Sequence, residues 1–145
     1  MVKSSGDFAL FQHTRPSRTR TRQGPWKGVT YVLPYDVIEL RYYLASDGKS
    51  PFETWFAELE SAAAAKVAVA LARLETGNLS NAKGVGEGVL EYRIDWGPGY
   101  RVYFGRDGDT LVILLTGGTK RRQQRDIDTA KALWADYRRR RPRAR

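Results

Sequence analysis

The sequence predicts an α+β fold whose strands and helices follow the order β-α-α-β-β-β-α. Three observations support it: a β-branched and aromatic run near residue 40, two helical apolar stripes after it, and three strand-like segments between residues 89 and 115. The 145 residues, 41% of them hydrophobic, suit a single domain. We expect one twisted antiparallel sheet with helices packed on one side.

The first half of the predicted domain contains one strand and two helices. Residues 37–44 are rich in β-branched and aromatic side chains, which favour a strand. Ser50, Pro51 and Glu53 form a capping box with proline at the first helical position. A second helix is expected over residues 62–76, ending at Gly77. Two adjoining helices with apolar stripes indicate an αα-hairpin.

The second half contains three strands and a helix. Residues 89–96 alternate between apolar and polar side chains, and residues 100–104 follow a Gly-Pro-Gly turn. Asp107-Gly108 is a hairpin signal, and residues 111–115 are apolar throughout, which predicts a central strand. The last helix is marked by four residues at helical spacing: Ile127, Ala130, Trp134 and Tyr137.

The first hairpin brings two arginines together. Pairing Trp96 with Tyr100 across the turn puts Asp95 opposite Arg101 and makes Arg93 a diagonal neighbour of Arg101. Two guanidinium groups at this spacing can form a phosphate site. The competing interpretation is an ordinary cross-strand ion pair between Asp95 and Arg101, with no ligand.

A glycine-rich segment carries further cations. Residues 116–119 read Thr-Gly-Gly-Thr and lead directly into Lys120, Arg121 and Arg122. We expect a turn here that exposes backbone N–H groups and completes an anion pocket over the sheet. A solvated basic loop is the alternative.

The net charge of +9 lies at the two ends of the chain. Residues 1–34 carry a net +5, residues 35–111 a net −4 and residues 112–145 a net +8. We therefore expect a basic, flexible extension over residues 1–34, a folded domain over 35–137 and a basic tail over 138–145. Basic tails raise nucleic-acid affinity without specifying a substrate.

Composition excludes several chemistries. The chain has no cysteine and one histidine, His13, so disulfides, thiolate metal sites and paired-histidine catalysis are ruled out. We expect no metal and no cofactor. No stretch approaches the roughly 20 apolar residues of a membrane span, so we expect a cytoplasmic protein with no membrane partner.

Three segments resemble a known family. Residues 86–104 (GEGVLEYRIDWGPGYRVYF), together with residues 114–120 (LLTGGTK) and 123–127 (QQRDI), are similar to toxins of bacterial type II toxin–antitoxin systems. The closest group is the HigB-like addiction module killer branch of the RelE/ParE superfamily. The resemblance covers about residues 38–137 and implies a RelE-like fold.

The resemblance also implies a function. RelE- and HigB-like members cleave mRNA in the ribosomal A site, so the ribosome and mRNA would be partners. A cognate antitoxin, in this branch typically a small helix-turn-helix DNA-binding protein, would neutralise the toxin. Arg93, Arg101 and Lys120 match cationic site positions, whereas Asp95 stands where RelE-type enzymes often carry another base.

Metal-independent RNA cleavage is compatible with these residues. We expect Arg101 to bind the scissile phosphate, Arg93 to stabilise the transition state, Lys120 to assist proton transfer and Asp95 to act as a base. Three further cations are expected to bind RNA: Arg121, Arg122 and Arg125. Two alternatives stay open: a ParE-like inhibitor of DNA gyrase without catalytic activity, and a non-toxic nucleic-acid-binding relative.

Overall fold

The computed structural model describes residues 21–23, 30–32 and 38–141. Within the predicted extension, strands β1 (Thr21–Gln23) and β2 (Thr30–Val32) form an antiparallel pair. The other residues of the extension lie outside the described part of the chain, as do residues 142–145 of the predicted tail.

The main body is a mixed α+β domain built on one five-stranded sheet, which confirms the predicted class. The strand order across the sheet is β3-β7-β6-β5-β4. The strands are β3 (Glu39–Tyr42), β4 (Ala82–Gly86), β5 (Val89–Ile94), β6 (Tyr100–Arg106) and β7 (Leu111–Thr119). The helices are α1 (Pro51–Ala57), α2 (Ser61–Glu75) and α3 (Gln123–Arg140), with a 3-10 turn at Lys120–Arg122 before α3.

The capping residues identified in the sequence lie at the ends of α1 and α2. The Ser50 hydroxyl accepts a hydrogen bond from the Glu53 backbone N–H at 3.0 Å, which caps α1. Gly77 has a φ of +84° directly after α2, a conformation that favours glycine. Helix α3 extends to Arg140, so its last turn includes three arginines of the predicted tail.

The sheet is mixed, so the prediction of a purely antiparallel sheet is wrong. Strand β3 runs parallel to β7, pairing residues 39–42 with 111–114. The long connection through α1 and α2 makes this pairing possible, because parallel neighbours need a crossover. Strand β4 was not predicted, since its sequence Ala-Lys-Gly-Val-Gly lacks an alternating apolar pattern.

Helices cover both faces of the sheet, which corrects the expectation of helices on one side. Helices α1 and α2 pack on one face, where Phe52, Leu71 and Phe104 are fully buried. Helix α3 packs on the other face, where Trp134 and Ile127 contact Tyr103 in a second apolar cluster. The second cover was missed because three alternating polar positions of the β5–β6 hairpin, Glu91, Arg93 and Arg101, suggested a solvated face.

Residues 116–119 continue strand β7 and are not the predicted exposed turn. They pair with residues 100–103 of β6, and Gly117 and Gly118 are buried. A Cβ at Gly117 would lie 2.3 Å from the Trp55 ring, and one at Gly118 would lie 1.8 Å from an Asp126 carboxylate oxygen. These glycines therefore serve close packing against α1 and α3.

Among the described helices, none combines the length and the apolar character that a bilayer crossing needs.

Candidate functional site

A cavity of about 480 Å³ lies where β5 ends and β6 begins, beside the 3-10 turn. Its wall contains all four residues that the sequence analysis assigned to catalysis: Arg93, Asp95, Arg101 and Lys120. The remaining lining residues are Ser80, Asn81, Ala82, Lys83, Ile94 and Gly99. We call this site the cationic cavity, because four of its residues are basic and one is acidic.

The strand register that builds the cavity differs from the predicted one by two residues. Ile94, not Trp96, lies opposite Tyr100, and Arg93 lies directly opposite Arg101. Strand β5 ends at Ile94 because the Trp96 N–H turns back to the Ile94 carbonyl at 2.9 Å. An even shift preserves the faces, so the two arginines still share the face that α3 covers.

Arg101 is held rigidly in the cavity wall. Its side chain is only 4% exposed, and its Nη1 donates a hydrogen bond to the Gly99 carbonyl at 2.8 Å. Its Nε lies 3.6 Å from a carboxylate oxygen of Glu91. Arg93, directly opposite, keeps 52% of its side chain exposed and lies 3.9 Å from the other Glu91 oxygen. The pair thus combines a fixed cation with an accessible one.

Glu91 supplies the negative charge that lets these two arginines lie side by side. Its side chain is fully buried, and its Oε2 accepts hydrogen bonds from the Tyr103 hydroxyl at 3.0 Å and the Gln123 Nε2 at 2.7 Å. Burial, reinforced by the nearby Glu91 carboxylate, raises the pKa of Tyr103 and keeps its hydroxyl protonated as a donor. This carboxylate ties β5, β6 and α3 together beneath the cavity.

Lys120 reaches the cavity from the 3-10 turn. Its backbone N–H donates to the Gly99 carbonyl at 2.9 Å, the same oxygen that accepts from Arg101. Gly99 has a φ of +80°, and a Cβ there would lie 3.1 Å from Arg101 Nη1 and 3.4 Å from Lys120 Cβ. A glycine at this position therefore leaves room for the Arg101 guanidinium and the Lys120 backbone to approach the same carbonyl.

Asp95 lies in the loop after β5 and is exposed at the cavity rim. The expected cross-strand pair between Asp95 and Arg101 does not form, because Arg93 occupies the position opposite Arg101. Within residues 38–141, no cation lies within ion-pair distance of the Asp95 carboxylate.

The three cations expected to bind RNA lie outside the cationic cavity. Arg121 and Arg122 are exposed in the 3-10 turn, and Arg125 is exposed in the first turn of α3. Arg122 lines a separate groove of about 670 Å³ beside α1, together with Asp126. Burial raises the pKa of Asp126, while Arg122 and Arg125 act in the opposite direction. The turn therefore presents one cation to the cavity and two to neighbouring surface.

Sequence reasoning missed the residues beneath the cavity. Glu91 and Arg93 are two residues apart in β5, so the sequence predicts that their side chains share a face. It does not predict that Glu91 is buried. Gln123 appeared only as part of a family signature, and nothing in the local pattern indicates that its side chain reaches β5. The contact depends on α3 packing over the sheet, which is a property of the tertiary fold.

No family model matches the chain. An uncharacterized protein of Haemophilus influenzae is 45% identical to the chain over 83 residues, which are 57% of this chain and 84% of that relative. The chain belongs to the family of this Haemophilus influenzae protein. The name of this relative states no activity.

The chemistry available to this family member is that of an anion site with an acid–base pair. A buried, preoriented guanidinium and an exposed one converge on one space and can share the oxygens of a phosphate group. The Lys120 ammonium and the Asp95 carboxylate line the same space and can donate and accept protons. Together these groups suit cleavage of a phosphodiester.

Proposed function

We propose that the protein is the toxin of a bacterial type II toxin–antitoxin system, of the RelE-like fold, and that it cleaves mRNA on the ribosome. The observation that carries the proposal is the convergence of Arg93, Asp95, Arg101 and Lys120 on one cavity. A basic surface alone would support only non-specific binding of nucleic acid. A buried guanidinium, fixed by a carboxylate and a carbonyl, is what stabilising a developing charge requires.

The proposed reaction is an internal transfer at phosphorus. The ribose 2′-oxygen forms a bond to the adjacent phosphorus, and the bond from phosphorus to the 5′-oxygen of the next nucleotide breaks. Asp95 accepts the proton of the 2′-hydroxyl, and Lys120 donates a proton to the leaving 5′-oxygen. Arg101 and Arg93 hold the phosphate oxygens as their charge increases. The products are a 2′,3′-cyclic phosphate and a free 5′-hydroxyl.

The ribosome completes the site in this proposal. The cavity is open and borders an exposed acidic residue, so it does not by itself fix the 2′-oxygen in line with the leaving oxygen. The ribosomal A site would supply that alignment. The protein would act in the cytoplasm, and a helix-turn-helix antitoxin would restrain it by covering the cavity or blocking its access to the ribosome.

Inducible expression in a bacterium tests the proposal. Protein and DNA synthesis would be followed by pulse labelling, and mRNA 5′ ends would be mapped. We expect rapid translation arrest and new cuts inside translated codons, with both effects lost in Lys120→Ala and Arg101→Ala. Lys120 is exposed, so its variant should fold even if the buried Arg101 does not tolerate replacement.

Matched controls and the other outcomes define the test. Arg138→Ala and Lys49→Ala remove exposed cations outside the cavity and should keep full toxicity. Full toxicity and cleavage in both cavity variants would refute the site. Replication arrest with intact mRNA would indicate gyrase inhibition, and absence of any arrest would leave a nucleic-acid-binding relative.

A further inference from the structure

A second, smaller opening adjoins the cationic cavity on the other side of the β5 end. It encloses about 310 Å³ between α2 and the sheet edge, and we call it the α2 cleft. Its wall includes Lys66, Arg73, Tyr92 and Trp96. Four further wall residues also line the cationic cavity: Asn81, Arg93, Ile94 and Asp95. A ligand that binds in the cavity can therefore extend over this shared wall into the cleft.

Tyr92 lines the α2 cleft and carries a buried polar group. Its side chain is 1% exposed, and its hydroxyl has no hydrogen-bond partner in the part of the chain that the structure describes. Burying a hydroxyl without a partner is unfavourable, and such groups in folded proteins are uncommon. An occupant of the cleft with a donor or acceptor atom would satisfy it.

Trp96 supplies an aromatic surface at the mouth of the cleft. Its ring stacks on Tyr100, with centroids 6.1 Å apart and planes inclined by 23°. The Lys66 ammonium lies 5.7 Å from the centroid of the Trp96 ring. A base stacked on an aromatic ring is held more strongly than an exposed ammonium over it, so a base can displace Lys66.

We infer that the α2 cleft is a nucleobase subsite for single-stranded RNA, occupied by the base of a nucleotide next to the phosphate bound in the cationic cavity. This rests on the proposed function, since it takes the ligand of the cavity to be RNA. A planar base fits the combination of an aromatic ring, a buried hydroxyl and the Asn81 amide. Base contact in the cleft and phosphate contact in the cavity would together set which nucleotide is cut.

The test measures binding of a 2′-O-methyl RNA hexamer, which cannot be cleaved by 2′-oxygen attack, at low salt. A set of hexamers with one abasic residue, placed in turn at each position, removes one base at a time. For the wild-type chain we expect one position where loss of the base weakens binding by roughly 5- to 150-fold, the range for base–aromatic stacking. Trp96→Ala should weaken binding of the complete hexamer by a similar factor and make it insensitive to that abasic position.

Tyr92→Phe tests the subsite with a smaller change than Trp96→Ala. It removes only the unpartnered hydroxyl, so we expect an unchanged or raised melting temperature but a roughly 2- to 12-fold loss of affinity for the complete hexamer. For the hexamer that is abasic at the sensitive position, Tyr92→Phe and the wild-type chain should have the same affinity. Tyr43→Phe, which removes a hydroxyl on the α3 side, should keep full affinity. Trp96→Phe retains an aromatic ring, so it should retain most of the affinity for the complete hexamer.

The outcomes separate the subsite from the proposed function. If Tyr92→Phe and Trp96→Ala bind the complete and abasic hexamers like the wild type, while Arg93→Ala weakens both, the subsite is refuted and the cavity stands. An equal loss for complete and abasic hexamers in the cleft variants would also refute base recognition. If the wild-type chain binds none of the hexamers, the subsite is refuted, and ribosomal cleavage decides the proposed function independently.

Discussion

The two faces of the sheet are built on different principles. The face under α1 and α2 buries apolar and aromatic side chains such as Leu71 and Phe104. The face under α3 buries an apolar cluster around Trp134 but also a carboxylate and a guanidinium, Glu91 and Arg101. The first face is mainly apolar, with tyrosine hydroxyls as its polar groups, whereas the second must compensate charge in a low dielectric. The cationic cavity lies at the margin of the α3 face, where the buried charges of Glu91 and Arg101 are found.

The largest expected effects compare one buried residue from each face. Leu71→Ala should lower the free energy of unfolding by about 2–5 kcal/mol through lost burial and a residual cavity. Glu91→Ala should cost about 3–5 kcal/mol, because it leaves the Arg101 charge buried without its carboxylate. Denaturant titrations of both variants measure these costs.

A double variant distinguishes the two mechanisms. Adding Arg101→Ala to Glu91→Ala should recover part of the lost stability, because no unpaired charge then remains. Adding Arg101→Ala to Leu71→Ala should give the sum of the single effects. Additive losses in the Glu91 and Arg101 pair would mean that charge compensation does not distinguish the α3 face.

The two faces can also be compared by how closely a helix approaches a strand on each of them. Gly117 on the α1 side and Gly105 on the α3 side each lie against a tryptophan, and an added Cβ would come within 2.3 Å of Trp55 or 2.5 Å of Trp134. Gly117→Ala and Gly105→Ala should each cost about 1–3 kcal/mol by overpacking. Gly84→Ala, at a strand glycine without a positive φ where a Cβ would meet no atom within 4 Å, controls for the loss of glycine itself.

Thermal melts of the three glycine variants test this expectation. If the two packed glycines tolerate alanine as well as Gly84 does, the tryptophan contacts are not tight on either face. A loss at Gly117 but not at Gly105 would show that α3 can move away from the sheet while α1 cannot.

The sequence predicted the apolar face better than the polar one. Periodicity identified α1, α2 and the three later strands, because a residue's helix or strand face follows from its position in the repeat. A two-residue error in the β5–β6 register left every face unchanged, so Arg93 and Arg101 were correctly expected to be neighbours. Lys120 was grouped with them on the expectation of an exposed glycine-rich turn, which the structure does not contain, and on the family resemblance.

The failures have a common cause in tertiary packing. Gly117 and Gly118 were read as a turn, since a local pattern does not reveal that Trp55 and Asp126 require glycine in a strand. The burial of Glu91 depends on α3 covering its face, and α3 is anchored through Gln123. Polar residues that compensate one another look like surface residues in sequence, because only the fold brings their partners into contact.

The smallest expected effect is a pH dependence carried by one buried tyrosine on each face. Burial raises the pKa of Tyr42 on the α1–α2 face and of Tyr103 on the α3 face, with help from the Glu53 and Glu91 carboxylates respectively. A raised folded-state pKa means that the folded protein keeps the phenol proton after the unfolded chain has lost it. The resulting stability is fully present below the ordinary tyrosine pKa of about 10 and decreases as pH rises above it.

Each such tyrosine contributes a slope of about −1.4 kcal/mol per pH unit to the free energy of unfolding in that range. Urea titrations between pH 9 and roughly 11 should therefore show a shallower alkaline loss in Tyr103→Phe and in Tyr42→Phe than in the wild-type chain. An unchanged slope in Tyr103→Phe would mean that this hydroxyl ionises as readily in the folded state as in the unfolded chain. The hydrogen bond that holds Glu91 beneath the cavity would then be weaker than its geometry indicates.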